Sequence, residues 1–87
     1  MKSQKYTFYA DPGHAWLKVP RIELHKLGIA DKISHCSYQK GLFVYLEEDC
    51  DAPKFIKAKE ATGCQVAPVE LHTDRSSKIR SYDSYTL

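Results

Sequence analysis

The stretch Gly41–Gly63, GLFVYLEEDCDAPKFIKAKEATG, constrains the fold of this chain more than any other, because several independent signals coincide in it. Leu42–Leu46 is a short apolar run rich in β-forming residues, opened by Gly41 and closed by the acidic cluster Glu47, Glu48, Asp49 and Asp51. A helix start follows directly: Asp51 can cap, Pro53 is tolerated in the first turn, and Phe55 and Ile56 begin an apolar stripe. Gly63 then supplies a residue that can turn left-handed and stop the helix. The middle of the chain reads strand, acidic turn, helix, and everything else must pack around that pair.

With 87 residues there is room for a single core. A hydrophobic content of 43% and a charged content of 28% belong to a folded chain rather than a disordered one. The longest apolar run is five residues, far short of a membrane span. Met1–Lys5 is polar and lacks the apolar core of a signal peptide, so the cytoplasm is the expected location, with no membrane partner. Three cysteines at wide spacing, Cys36, Cys50 and Cys64, imply no disulfide framework, and buried, unreactive thiols are expected. A zinc site would have to be assembled from scattered residues such as Cys50, Cys64 and His72, so neither a metal nor a cofactor is expected.

The net charge of +2 is unevenly spread. Residues 1–40 carry a net +4, residues 41–51 a net −4, and residues 52–87 a net +2. A mildly basic chain with one acidic notch is not marked as a nucleic-acid binder by charge alone.

Along the chain, Lys5–Ala10 alternates as a strand, and Asp11-Pro12-Gly13-His14 is a turn in which Pro12 presets φ, Gly13 accepts positive φ and Asp11 bonds the backbone. Ala15–Val19 alternates again, completing a hairpin over 5–19. Pro20 suits the first position of a helix reaching about Leu27, with Gly28 as its left-handed stop and Ile29 folding back on Leu24. Ser34–Tyr38 is a weaker strand, turned by Gln39-Lys40-Gly41 into Leu42–Leu46. On the second helix, 52–62, Ala52, Phe55, Ile56, Ala58 and Thr62 form one side, and Lys59 falls among them with its amine expected to reach water. Gln65–His72 is a final strand with Ala67, Val69 and Leu71 expected inward, and Pro68 predicts an edge or a bulge. The expected fold is α+β, a single β-β-α-β-β-α-β domain over residues 1–72 with a mainly antiparallel sheet and two helices on one face. Residues 73–87 form a polar C-terminal tail, either mobile or wrapped on the domain through Ile79, Tyr82 and Tyr85.

Three groups of residues offer chemistry. Asp11, His14 and Trp16 place a carboxylate, an imidazole and an indole on one tight turn, fit for a ligand or for proton transfer, though a plain hairpin turn with Trp16 covering the sheet needs the same residues. His72, Asp74 and Arg75, with Lys78, Arg80, Tyr82 and Tyr85, can hold phosphates and stack on bases, or simply form a solvated tail. The acidic cluster Glu47–Asp51 can bind a metal or mimic phosphates toward a basic partner, but acids are also favoured at a helix start. No phosphate-binding glycine loop, nucleophile elbow or metal-binding histidine pair occurs.

The segments YTFYADPGHAWLKVP, LGIADKIS-x-x-SYQKG, YLEEDCD and HTDRSSKIRSY together resemble a group of small proteins encoded by phages, prophages and plasmids. Ala15 departs from the group's pattern, which has glycine after the histidine. The resemblance implies an accessory protein of a mobile element that binds a host protein stoichiometrically, counter-defence such as anti-CRISPR activity being one form, and it transfers no catalytic residue. The expectation is therefore a binding protein without catalysis, with Asp11, His14, Trp16, His72, Asp74 and Arg75 as its surface. A nucleic-acid binder using the basic tail, and a small enzyme or nucleotide-binding protein at the Asp11/His14 turn, are the alternatives.

Overall fold

The computed structural model describes residues 2–87. Strands β1 (Lys2–Ala10) and β2 (Ala15–Pro20) form the expected hairpin, with Phe8 opposite Leu17 and Tyr9 opposite Trp16. Helix α1 (Arg21–Lys26) follows Pro20 and ends where Gly28 turns left-handed at φ 72°. The Ile29 N–H returns to the Leu24 carbonyl at 3.0 Å, closing the helix end as its sequence predicts. A single 3₁₀ turn, Ala30–Lys32, leads to β3 (Tyr38–Lys40) and β4 (Phe43–Glu47). Helix α2 (Ala52–Glu60) and strand β5 (Cys64–His72) come next, then a 3₁₀ turn over Lys78–Ser81 and the two-residue β6 (Asp83–Ser84).

The result is an α+β domain whose six-stranded sheet runs β5-β1-β2-β4-β3-β6. All neighbours are antiparallel except β1 and β5, a parallel pair between which the chain runs through β2, α1, β3, β4 and α2. Alternation along the strands divides the sheet into two faces. Tyr6, Leu17, Val19, Val44, Leu46 and Val66 meet Leu24 of α1 and Phe55 of α2 in the main core. Trp16, Tyr45 and Ile79 form a smaller cluster on the opposite face, with Tyr9, Tyr38 and Tyr82 around it.

Four expectations are corrected. The strand expected over 34–38 begins only at Tyr38 and runs to Lys40, because Ser34 and Ser37 are committed to a carboxylate instead. Ser34 N–H and both hydroxyls bond Asp51, whose side chain is fully buried, and Lys54 Nζ joins it at 3.0 Å. For the same reason Asp51 makes no side-chain capping bond to α2 although it occupies the cap position. Lys59 does not reach out to water: its amine meets Glu23 at 3.1 Å in a half-buried group that Tyr6 completes through its hydroxyl. Strand β5 is an edge, as Pro68 requires, but with inverted facing. Register pairs Gln4 with Val66 and Tyr6 with Pro68, so Val66 turns to the core, while Val69 and Leu71 stay 45% and 54% exposed. In a parallel pair, residues in register share a face, and β1 had already set which one faces the helices.

The C-terminal segment is not an appendage to a domain ending at residue 72. Of its two readings, wrapping is the one adopted: β6 pairs with β3, Ile79 and Tyr85 are buried, and the Tyr85 hydroxyl donates to the Ala30 carbonyl at 2.6 Å.

Phe55 is wholly enclosed, with its ring edge-on to Tyr6 at 5.2 Å between centroids. Phe55→Ala is expected to cost about 3–5 kcal/mol of unfolding free energy through the cavity it leaves. Denaturant titration followed by circular dichroism measures this, and a loss below about 1 kcal/mol is inconsistent with that packing.

Candidate functional site

The first turn and the end of β5 meet at one end of the sheet, since Ala10 pairs with His72 and the Thr73 N–H bonds the Ala10 carbonyl at 2.9 Å. What assembles there differs from the expected surface. Asp11 is buried and accepts from the backbone N–H groups of Gly13, His14 and Ser77. Arg80 completes the set with two parallel bonds, Nε at 2.7 Å and Nη2 at 2.9 Å. The guanidinium beside Asp11, followed by the Ser77 N–H, holds its carboxyl well below the usual carboxylate range. An ionised, saturated carboxylate has no proton to exchange and no free lone pair for a ligand, so Asp11 is a structural hub rather than a contact residue.

Arg80 also lies over the Trp16 ring at 5.4 Å, and Trp16 is only 2% exposed. The indole is therefore unavailable as an apolar anchor; its N–H finds no acceptor within residues 2–87. Gly13 has a role other than the expected positive φ, which it does not adopt. A Cβ there would come within 2.8 Å of Arg80 Nη2, so glycine is what lets the guanidinium settle on the turn. The sequence offers Arg80 only as a phosphate contact and does not show its pairing with Asp11; Ser77 is not singled out at all, although it carries a readable signal: its hydroxyl accepts the Ile79 N–H and starts the 3₁₀ turn.

His14, half exposed, turns toward Glu47 instead of Asp11, with Nδ1 3.9 Å from Oε1. His72 and Asp74 stand 3.6 Å apart on the surface, and Arg75 is exposed beside them. An open cleft of about 410 Å³ lies between the turn and the acidic segment, lined by His14, Trp16, Cys36, Glu47, Cys50 and Arg80 among others. Cys36 and Cys50 are exposed there and Cys64 is half-buried, so the thiols are not the buried ones expected.

Lys78–Ser81 crosses the face opposite the helices and divides it. On one side is the acidic cleft. On the other is a basic floor that the sequence does not single out, because its residues alternate with core residues along three strands. Lys18 sits at its centre, with Nζ 4.2 Å from the Phe43 ring centre, and borders two adjoining hollows. One, of about 200 Å³, is walled by Tyr9, Tyr45, Lys78 and Tyr82, and the other, of about 250 Å³, by Lys5, Thr7 and Phe43. Neither lining contains a carboxylate, and none of Lys5, Lys18 and Lys78 is in an ion pair among the described residues. Burial, with Tyr82 and Tyr9 nearby, raises the Tyr45 hydroxyl, so it stays a neutral donor.

No helix of the described residues is long and apolar enough to cross a membrane. Compared with family models, curated proteins and solved structures, the chain matches none.

The Asp11 contribution to stability is fully present above its unfolded-state pKa of about 3.9 and is lost as pH falls toward the lower folded value. The melting temperature is expected to hold from neutral pH to about pH 4 and to drop below it. Asp11→Asn should be less stable at neutral pH, with a weaker acid dependence, and the emission of Trp16, the single tryptophan, should shift to the red. Unchanged melting and emission in that variant would mean that the carboxylate does not hold the C-terminal segment.

Proposed function

We propose that this is a non-catalytic binding protein that holds extended single-stranded nucleic acid on the basic floor of its sheet. The observation that carries the reading is that three lysines outside any ion pair among the described residues, Lys5, Lys18 and Lys78, line two adjoining hollows together with the rings of Phe43, Tyr9 and Tyr82 and no carboxylate. Ammonium groups neutralise phosphates, and half-exposed rings accept the faces of unstacked bases. The basic C-terminal tail is poorly suited to this role by itself: Arg80 is committed to Asp11, and Tyr85 is buried. Of that tail, Lys78 and Tyr82 contribute, as part of the folded face.

A second reading, stoichiometric binding to a host protein as the phage and plasmid resemblance implies, is favoured by one observation. Val69 and Leu71 lie exposed on the edge strand β5, in register with Thr7 and Tyr9 on the same side of the sheet.

Fluorescence anisotropy with a labelled thymidine oligonucleotide tests the first reading. Affinity should fall steeply with salt, because each phosphate neutralised on a single strand contributes roughly 0.7 to the log–log salt slope. Lys5→Ala/Lys18→Ala/Lys78→Ala should therefore make that slope shallower by about 2. A triple variant that binds as tightly as the parent, or a parent that does not bind at low salt, would falsify it. Loss of protein capture in Val69→Lys/Leu71→Lys, with nucleic-acid binding absent, would favour the second reading.

A further inference from the structure

We infer that His14, Glu47 and Glu48 form a site for a zinc-type divalent ion at the rim of the acidic cleft. The three side chains come from the β1–β2 turn, the end of β4 and the turn that follows it. Strand pairing brings them together, with Trp16 opposite Glu47 and the Glu48 N–H bonded to the Ala15 carbonyl at 3.0 Å. One ligand atom from each lies within 4.8 Å of the others, and His14 Nδ1 to Glu47 Oε1 is 3.9 Å. Ligands about 2.1 Å from a tetrahedral ion stand about 3.4 Å apart, so small rotations of these side chains close the site.

The donor chemistry selects the ion. One imidazole with two carboxylates is a set that zinc accepts, whereas calcium and magnesium favour oxygen alone. Three protein ligands leave a fourth position, open to the cleft of about 410 Å³. Glu47 is already oriented, since its carboxylate accepts the N–H groups of Asp49 and Cys50. Those bonds explain why Glu47 is held. Strand pairing sets His14 and Glu48 beside it, and two neighbouring carboxylates with an imidazole favour a cation between them. This site is separate from the basic floor and stands on different residues.

Zinc chloride titrated calorimetrically into chelator-treated, dialysed protein tests the inference. One zinc per chain is expected, with affinity reduced at least tenfold in His14→Ala and severalfold in Glu48→Gln. Glu47 is left unaltered because it holds the turn, whereas the His14 side chain is half exposed. Cys36→Ser/Cys50→Ser should bind zinc like the parent, and the cobalt-loaded protein should show visible d–d bands without the strong near-ultraviolet band of thiolate ligation. Absence of binding, undiminished binding in His14→Ala, or a thiolate band would each overturn it, the last by assigning the ion to the cysteines instead.

Discussion

The bidentate pairing of Asp11 with Arg80 is the contact on which the rest of the molecule's functional layout depends. A carboxylate taken out of water is costly unless every lone pair is used, and here three backbone N–H groups and a guanidinium use them. The donors come from both ends of the chain, so the same contact that completes the first turn draws the last residues across the sheet. Ile79 is pressed onto Trp16 and Tyr45 as a consequence. A polar segment that has little to gain from burial on its own is thereby ordered.

A second buried carboxylate plays a comparable part on the helical side. Asp51 gathers Ser34, Ser37 and Lys54, and the Ser37 hydroxyl also accepts the Glu47 N–H at 3.0 Å. The Ser37 carbonyl in turn receives the Tyr85 N–H. One aspartate thus links the loop before β3, the end of β4, the start of α2 and the C-terminus. Such a satisfied polar centre adds little net stability over an apolar one, but leaving any member unpaired is expensive, which disfavours alternative packings.

Together the two hubs separate charge on the sheet face. Lys78–Ser81, held from one side by Asp11, stands between the carboxylates at the end of β4 and the lysines spread over β1 and β2. Under the proposed reading, an anionic chain lying on the lysines would be repelled by Glu47, Glu48 and Asp49 beyond the divider, which would give it a boundary as well as a floor.

Local features of the chain were legible in its sequence. The hairpin at Asp11–His14, the helix ends at Gly28 and Gly63, the enclosed Phe55 and the edge position of β5 each depend on neighbouring residues and on backbone geometry that a particular residue type favours. The α+β class followed from the alternation of those elements. Long-range choices were decided by tertiary structure alone. Asp11 had several cations to choose from, and only the folded path of residues 73–80 selects Arg80 over Arg75. Asp51 had the cap position of α2 open to it, and the approach of Ser34 and Ser37 turned it inward. The facing of Val66 against Val69 is a one-residue parity that β5 alone cannot specify, because both parities place apolar side chains inward; pairing with β1 specifies it. The basic floor was illegible for the same reason: Lys5, Lys18 and Lys78 are far apart in the chain, and the β1–β2 pairing together with the path of the Lys78–Ser81 turn over the sheet brings them to one face.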